Sequence, residues 1–204
     1  MPFNINTFKT NGLVYGGARP SLFNITLSVP VGIGIDSLSV QKFTMVARAA
    51  ELPPSQVSSF DVGYFGRKIK LAGDRTFTDW NVTVMNDEDF SVRSMFELWS
   101  NALNRLESNV RDAAIDTELY KTDLQIAQYA KTGEMIREYT MYGAFPTNIG
   151  AIALDWDTQN TIETFPVTFA YDYWLPTVET STKQRGGTNT YEGAATTDGP
   201  LGPN

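Results

Sequence analysis

The sequence predicts a mainly β fold, in which two packed antiparallel β-sheets form a sandwich or barrel with one flanking α-helix. Three observations lead to this prediction: runs of alternating apolar and polar residues recur along the chain, turn-forming residues separate them, and one long segment has helical periodicity. At 204 residues, 42% of them hydrophobic, the chain can form one large domain with a substantial core.

The first strand is predicted in the run SLFNITLSVP, residues 21–30. Every second residue from Phe23 to Val29 is apolar and the residues between them are polar, which is typical of a half-buried strand. Pro30 ends it, because proline cannot donate to a strand ladder. The same alternation predicts a second strand, at Phe43, Met45 and Ala47.

An extended hairpin is predicted near residues 57–73, with Tyr64, Phe65 and Gly66 near its tip. Gly73-Asp74 is predicted to form a turn into the next strand, which covers residues 75–85. Trp80, Val82 and Val84 share one face of that strand.

Four further strands are predicted in the second half of the chain. They cover Leu124–Ala130, Met135–Tyr142, Ile152–Trp156 and Ile162–Trp174. The last is long, and one side of it carries Phe165, Val167, Phe169, Tyr171 and Tyr173.

One helix is predicted near residues 90–106. Its apolar side chains form a single stripe that indicates packing on a sheet, and Asp87, Glu88, Asp89 and Ser91 place negative charge and capping oxygens at its N-terminus. The stripe consists of Val92, Met95, Phe96, Trp99, Leu103 and Leu106.

Composition and motifs exclude most common activities. The chain has no cysteine and no histidine, which rules out disulfides, thiolate or imidazole metal sites and every histidine-dependent triad. The phosphate-binding, dinucleotide-binding and nucleophile-elbow glycine motifs are also missing. We therefore predict no catalytic residue, no cofactor-binding residue and no cofactor, and a protein that is not an enzyme.

Clustered carboxylates raise two metal hypotheses, since hard cations prefer oxygen ligands. The run from Asp87 to Asp89 lacks the spacing of a calcium loop, and helix capping explains it. Asp155-Trp156-Asp157 resembles the carboxylate pair of a divalent-metal glycosyltransferase, but nothing near it suggests a nucleotide site. A strand that ends in a polar turn is the simpler interpretation, so no metal site is predicted.

The charge pattern disfavours tight DNA binding. The net charge is −7, and the basic residues are dispersed, with Arg67, Lys68 and Lys70 as their densest cluster. A protein that grips phosphates needs clustered cations, whereas an acidic surface lets DNA pass without sticking.

The ends and edges of the predicted domain give three further expectations. No apolar run is long enough to span a membrane, and the N-terminal sequence lacks the pattern of a signal peptide. Residues 1–175 are predicted to form one domain, followed by an extended tail over 176–204 that is rich in Thr, Gly and Pro. Few residues protect the sheet edges, which favours pairing between subunits in a ring or filament.

Several blocks of the sequence together resemble the tail tube proteins of contractile-tailed bacteriophages, closest to the T-even type. They recur in the family's order over most of residues 18–174. The blocks are ARPSLFNITLSVP, ELPPSQV, GRKIKLAGDRTFTDWNVTVMNDED, YKTDLQIAQYAKTG and GAFPTNIGAIALDWDTQNTIETFPVTFAYDYW.

This resemblance implies a structural virion protein whose homo-hexameric rings stack into a hollow tube for genome ejection. Its implied partners are the tail sheath protein, the baseplate hub and tube-initiating proteins, the tail terminator, a tape measure protein in the lumen, and DNA in transit. The implied location is the virion tail, with the host cytoplasm during assembly, and no membrane anchor is implied. In this picture the hairpin tip, at Tyr64, Phe65, Arg67 and Lys68, reaches the adjacent ring.

Two segments depart from the family pattern, and three alternative functions remain open. Residues 104–120 look longer than in the T-even type, and the tail from Pro176 looks additional. The tube of a type VI secretion system or of a phage-like bacteriocin would form the same rings without packaged DNA. A carboxylate enzyme at Asp155 and Asp157, or a monomeric β-sandwich binding module, would not depend on self-assembly.

Overall fold

The computed structural model describes residues 4–13, 16–111 and 117–177. Its helices are α1 (Ile5–Thr7), α2 (Ser37–Val46), α3 (Ser91–Leu103) and α4 (Thr117–Tyr120), with a π-helical turn at Phe8–Gly12. Its strands are β1 (Phe23–Leu27), β2 (Ala47–Ala50), β3 (Gln56–Tyr64), β4 (Arg67–Thr76), β5 (Trp80–Met85), β6 (Thr122–Tyr129), β7 (Met135–Ile149), β8 (Thr164–Ala170) and β9 (Tyr173–Thr177).

Seven of the nine strands in the described residues form two antiparallel layers that share the long strand β7, and β3 and β4 form a separate pair. The first layer has the order β1-β6-β7-β9, and the second has the order β7-β8-β5-β2. Gly143, with a φ of 67°, lies where β7 passes from one layer to the other. Lys121 Nζ donates to Asp172 Oδ2 at 2.7 Å beside this point and ties the start of β6 to the bend between β8 and β9.

The core lies between the inner faces of the two layers and helices α2 and α3. Phe96 of α3 contacts Phe43 of α2 edge-on, with ring centroids 5.4 Å apart, and Phe169 of β8 at 5.8 Å. Trp99 donates its indole N–H to the backbone oxygen of Tyr120 at 3.0 Å, so its polar atom is satisfied in the interior. The predicted fold class, mainly β with two packed antiparallel sheets and a flanking helix, is confirmed.

Several predicted strands agree with the structure. Ile25 and Leu27 of β1 are buried between exposed or half-buried neighbours. Trp80, Val82 and Val84 alternate with more exposed residues on β5, as predicted. On β8 the buried side chains are Phe165, Val167 and Phe169.

The second strand prediction is wrong for most of its length, because residues 37–46 form helix α2. Val40 and Phe43, one helical turn apart, are its buried residues, whereas Met45 is 80% exposed. Only Ala47 lies in a strand, at the start of β2. In a helix Phe43 and Ala47 share a side and Met45 points away from it, so the period-two pattern does not describe this segment. The spacing of the buried residues Val40 and Phe43 is the helical one.

The Gly73-Asp74 prediction is also wrong. These residues do not turn the chain but lie within β4, where they form a bulge opposite Ser58 of β3. A side chain on Gly73 would collide with the Ser58 hydroxyl, so glycine suits this close approach. The chain turns instead between β4 and β5, over residues 77–79.

The last two strand predictions need correction. Residues 152–156 do not form a strand; they belong to an irregular loop that ends in a turn. The single strand predicted over residues 162–174 is two strands, β8 and β9, which pair with different parts of β7. The alternation is continuous in the sequence, but the chain bends at Asp172.

The main helix is shorter than predicted. Helix α3 ends at Leu103, and Leu106 lies beyond it as an exposed side chain. Strand β9 extends to Thr177, two residues past the predicted domain boundary, and the rest of the predicted tail lies outside the described residues, as do residues 112–116 of the predicted longer segment.

Candidate assembly surfaces

The hairpin β3–β4 stands apart from the two-layer domain. Phe65 and Gly66 connect the strands with positive φ angles of 43° and 76°, which is the two-residue turn that best matches the twist of a hairpin. Every residue of β3 is exposed, as is every residue of β4 except the half-buried Gly73. The strands therefore cover only each other.

The two faces of this hairpin differ in chemistry. Directly opposed residues share a face of an antiparallel pair, and neighbours along a strand alternate between faces. One face is polar and basic, with Asp61, Lys68 and Lys70. The other, which we call the apolar hairpin face, contains the pairs Phe60–Leu71, Val62–Ile69 and Tyr64–Arg67.

The predicted contact residues lie together at the hairpin tip. The rings of Tyr64 and Phe65 meet edge-on at 4.5 Å, and Phe65 is 90% exposed. Arg67 and Lys68 follow the turn but lie on opposite faces, because they are adjacent in β4. The tip can thus present two aromatic rings and two cations to another molecule.

The helix residues predicted to pack in the core do so. Val92, Met95, Phe96 and Trp99 are buried, and Leu103 is half-buried against the same cluster. Their role in the structure is packing.

The acidic run before α3 is held by a lysine on α2. Lys42 Nζ donates to Asp87 Oδ2 at 2.5 Å and to Asp89 Oδ2 at 2.6 Å. The pKa of Asp89 is lowered to about 2, mainly by the hydrogen bond from Lys42 and next by the hydrogen bond from the backbone N–H of Ser91. The pKa of Lys42 is raised, mainly by its hydrogen bond to Asp87 and next by its hydrogen bond to Asp89. Asp89 also accepts from the N–H of Ser91 at 3.1 Å, as the predicted capping role requires, although Phe90 occupies the N-cap position itself.

A second uncovered surface was not predicted from the sequence. The loop between β7 and β8, residues 150–163, exposes 99% of Trp156 and 83% of Leu154. Asp155 shapes the turn by accepting from the N–H of Asp157 at 3.0 Å and from the hydroxyl of Thr158 at 3.3 Å. The alternating pattern around Trp156 suggested a strand and concealed this surface.

Two structural patterns, a cluster of metal ligands and a membrane-spanning helix, are both missing from the described part of the chain. Within residues 4–13, 16–111 and 117–177, no group of three or more acidic residues is placed to hold a metal ion. Over the same residues, no helix combines the length and the apolar character that a membrane span needs. One shallow cleft of about 400 Å³ lies between Arg19, Phe23, Tyr129 and Lys131.

The fold and its surfaces thus define a two-layer β protein with an exposed hairpin and an exposed apolar loop. Residues 18–177 match the model of the family described as phage tail tube protein. The chain is 40% identical over 158 residues to the tail tube proteins gp19 of Enterobacteria phages T4 and T6, covering 77% of this chain and 90% of each relative. A tail tube protein of Serratia phage KSP90 is 23% identical over 168 residues, which cover 82% of this chain and 93% of that protein.

Solved structures agree on the fold. The sheath/tube terminator of the extracellular contractile injection system PVC superposes with a TM-score of 0.53 at 15% identity, over 79% of this chain and 97% of that chain. The tube-terminating cap of the anti-feeding prophage gives a TM-score of 0.51 at 18% identity, over 79% and 91%. The chain belongs to the phage tail tube protein family, and it is a tail tube protein of the contractile, T-even-like type.

Proposed function

We propose that copies of this chain form hexameric rings that stack into the inner tube of a contractile tail, a hollow conduit through which DNA passes. The observation that carries the ring contacts is the hairpin of β3 and β4, whose residues are exposed on both faces apart from Gly73. An isolated two-stranded hairpin is marginal in water, so a partner surface is needed to stabilise this one.

The hairpin tip is the proposed contact between adjacent rings, through Tyr64, Phe65, Arg67 and Lys68. Two exposed aromatic rings supply apolar contact area, and the two cations supply charge that an acidic neighbour attracts. The chain as a whole has a net charge of −7, so the body of an adjacent copy is such a neighbour.

The proposed partners follow from this role. They are the sheath around the tube, the baseplate hub and tube-initiating proteins at one end, the terminator at the other, and a tape measure protein inside. DNA passes without tight binding, because the acidic balance of the chain disfavours phosphate contacts. The proposed role is structural and not enzymatic. Assembly takes place in the host cytoplasm, and the final location is the virion.

A tube of a secretion system or bacteriocin is the second candidate. It would have the same fold, and the two solved structures described above come from an extracellular contractile injection system and from the anti-feeding prophage. The 40% identity to phage proteins, over nine tenths of their length, favours the phage tail.

Electron microscopy of the purified protein across a concentration series tests the proposal. We expect stacked rings with six-fold end views, either spontaneously or after addition of preformed tube ends. Reversing the charge of Arg67 and Lys68 together should shorten or abolish the stacks while single rings persist. A chain that stays monomeric even with preformed tube ends would contradict the assembly proposal.

A further inference from the structure

The apolar hairpin face is uncovered in the single chain. Phe60, Val62, Ile69 and Leu71 form two adjacent cross-strand pairs, and all four side chains are exposed. Such a patch on a soluble protein marks an interaction site.

The loop of residues 150–163 offers a second uncovered apolar patch. Leu154, Trp156 and Ile162 are all exposed, and Trp156 is almost completely so. Tryptophan is the residue type most enriched among those that dominate binding energy, because it buries a large rigid surface. Because Leu154 and Ile162 are exposed in the same loop, Trp156 is a candidate anchor for a contact in the assembly.

The two patches have opposite charge. The hairpin as a whole carries four basic residues against two acidic ones, and Arg67 is the cation that belongs to its apolar face. The loop carries three acidic residues, Asp155, Asp157 and Glu163, and no basic one. Since the chain as a whole is acidic, two copies repel each other except where surfaces such as these meet.

We propose that the apolar hairpin face of one copy docks on the 150–163 loop of a neighbouring copy in the tube. Trp156 packs against the Val62–Ile69 pair, and Asp157 pairs with Arg67. The inference rests on the proposed self-assembly and names the surfaces that carry it. Because the two surfaces differ, the contact is heterologous, and it can propagate along a tube instead of closing a two-fold dimer.

A charge exchange tests this contact. Arg67→Glu and Asp157→Arg should each raise the concentration needed for tubes at least about tenfold, measured by sedimentation and electron microscopy. The double variant Arg67→Glu/Asp157→Arg should return to within about threefold of the wild type. Lys70→Glu makes the same charge change three residues away, on the opposite hairpin face, and should assemble like the wild type.

Mixing the two single variants is an independent test. In an equimolar mixture, hairpins with the Arg67→Glu change can meet loops with the Asp157→Arg change, and unchanged hairpins can meet unchanged loops. Where the two variants alternate, every contact joins opposite charges, so tubes of alternating copies should form at concentrations at which neither variant forms them alone. Trp156→Ala should impair assembly without lowering the thermal midpoint of the monomer, because the side chain is exposed there.

The outcomes separate the two proposals. Rescue by the double variant and by the mixture, with Lys70→Glu unimpaired, supports this contact. The contact is overturned if the wild type forms tubes but neither the double variant nor the mixture restores assembly. It is also overturned if Lys70→Glu impairs assembly as much as Arg67→Glu does. Both results leave the tube function standing. Failure of the wild type to assemble even on preformed tube ends overturns both.

Discussion

Lys42 is the residue that fastens helix α2 to the start of α3. Its ammonium group lies within 2.6 Å of carboxylate oxygens of both Asp87 and Asp89. The backbone N–H groups of Glu88 and Ser91 donate to the same two carboxylates. The two acids are thus held ionised by one lysine and two amides, and the link between the helices depends on charge that titrates in acid.

Replacing Lys42 with methionine should therefore destabilise the protein in a pH-dependent way. The pKa of Asp89 is lowered from 3.8 to about 2 in the folded state, so its contribution is complete above pH 4 and is lost as the pH falls towards 2. The thermal midpoint of Lys42→Met should lie below that of the wild type at pH 7, and the difference should shrink between pH 4 and 2. Lys131→Met, at an exposed turn, is the control; an equal, pH-independent loss in both variants would contradict the prediction.

Trp99 illustrates how much one buried side chain contributes to the stability of the folded domain. Trp99→Phe removes the indole N–H from the Tyr120 carbonyl and leaves part of the ring volume empty, so we expect a loss of about 2–4 kcal/mol in the free energy of unfolding. Trp156→Phe, at an exposed site, should change it by less than about 0.5 kcal/mol. Urea unfolding of the dilute protein measures both, and similar values for the two variants would refute the assignment.

At the scale of the elements, the stability of the hairpin β3–β4 depends on its turn more than on packing against the rest of the domain. Gly66, at a φ of 76°, adopts a conformation that side chains disfavour, whereas Gly63 lies in β3 with open space where a Cβ would be. Gly66→Ala should cost about 1–2 kcal/mol of local hairpin stability, and Gly63→Ala should not.

Amide hydrogen exchange measures this difference. In Gly66→Ala, exchange should increase across β3 and β4 and remain unchanged in β5 and β8, because the hairpin strands cover only each other. A uniform increase over the whole domain would show instead that the hairpin and the sheets unfold together.

The accuracy of the sequence predictions also differs by element, for physical reasons. Strands β1, β5 and β8 were predicted because one face is buried in the core, which enforces alternation. The prediction for residues 43–47 is wrong because it follows the period-two pattern and not the helical spacing of Val40 and Phe43, and the prediction for Gly73 is wrong because turns and bulges both use glycine. The structure places the hairpin turn at Phe65-Gly66, inside the segment expected near the tip. The exposure of Trp156 depends on which other parts of the chain pack near it, and the local sequence does not determine that.

At the scale of the whole molecule, the match to the family reaches as far as the last described strand, β9. The family model covers residues up to 177, and β9 ends at Thr177. Residues 178–204 therefore lie beyond the part of the chain that the family model matches.

We expect these residues to act in the assembly, by decorating the outer tube wall or bracing a neighbouring subunit. A chain that ends at Thr177 retains all of β9 and the pairing of Thr177 with Glu138, so its monomer should melt at the wild-type temperature. Ending it at Leu175 would remove two β9 residues and confound the result. The shortened chain should form tubes that dissociate at lower temperature or bind sheath protein less tightly. A chain with residues 178–204 in scrambled order is the control, because it shows whether the effect depends on the sequence of this segment or only on its length. Tubes with unchanged stability and unchanged sheath binding would show that the tail has neither role.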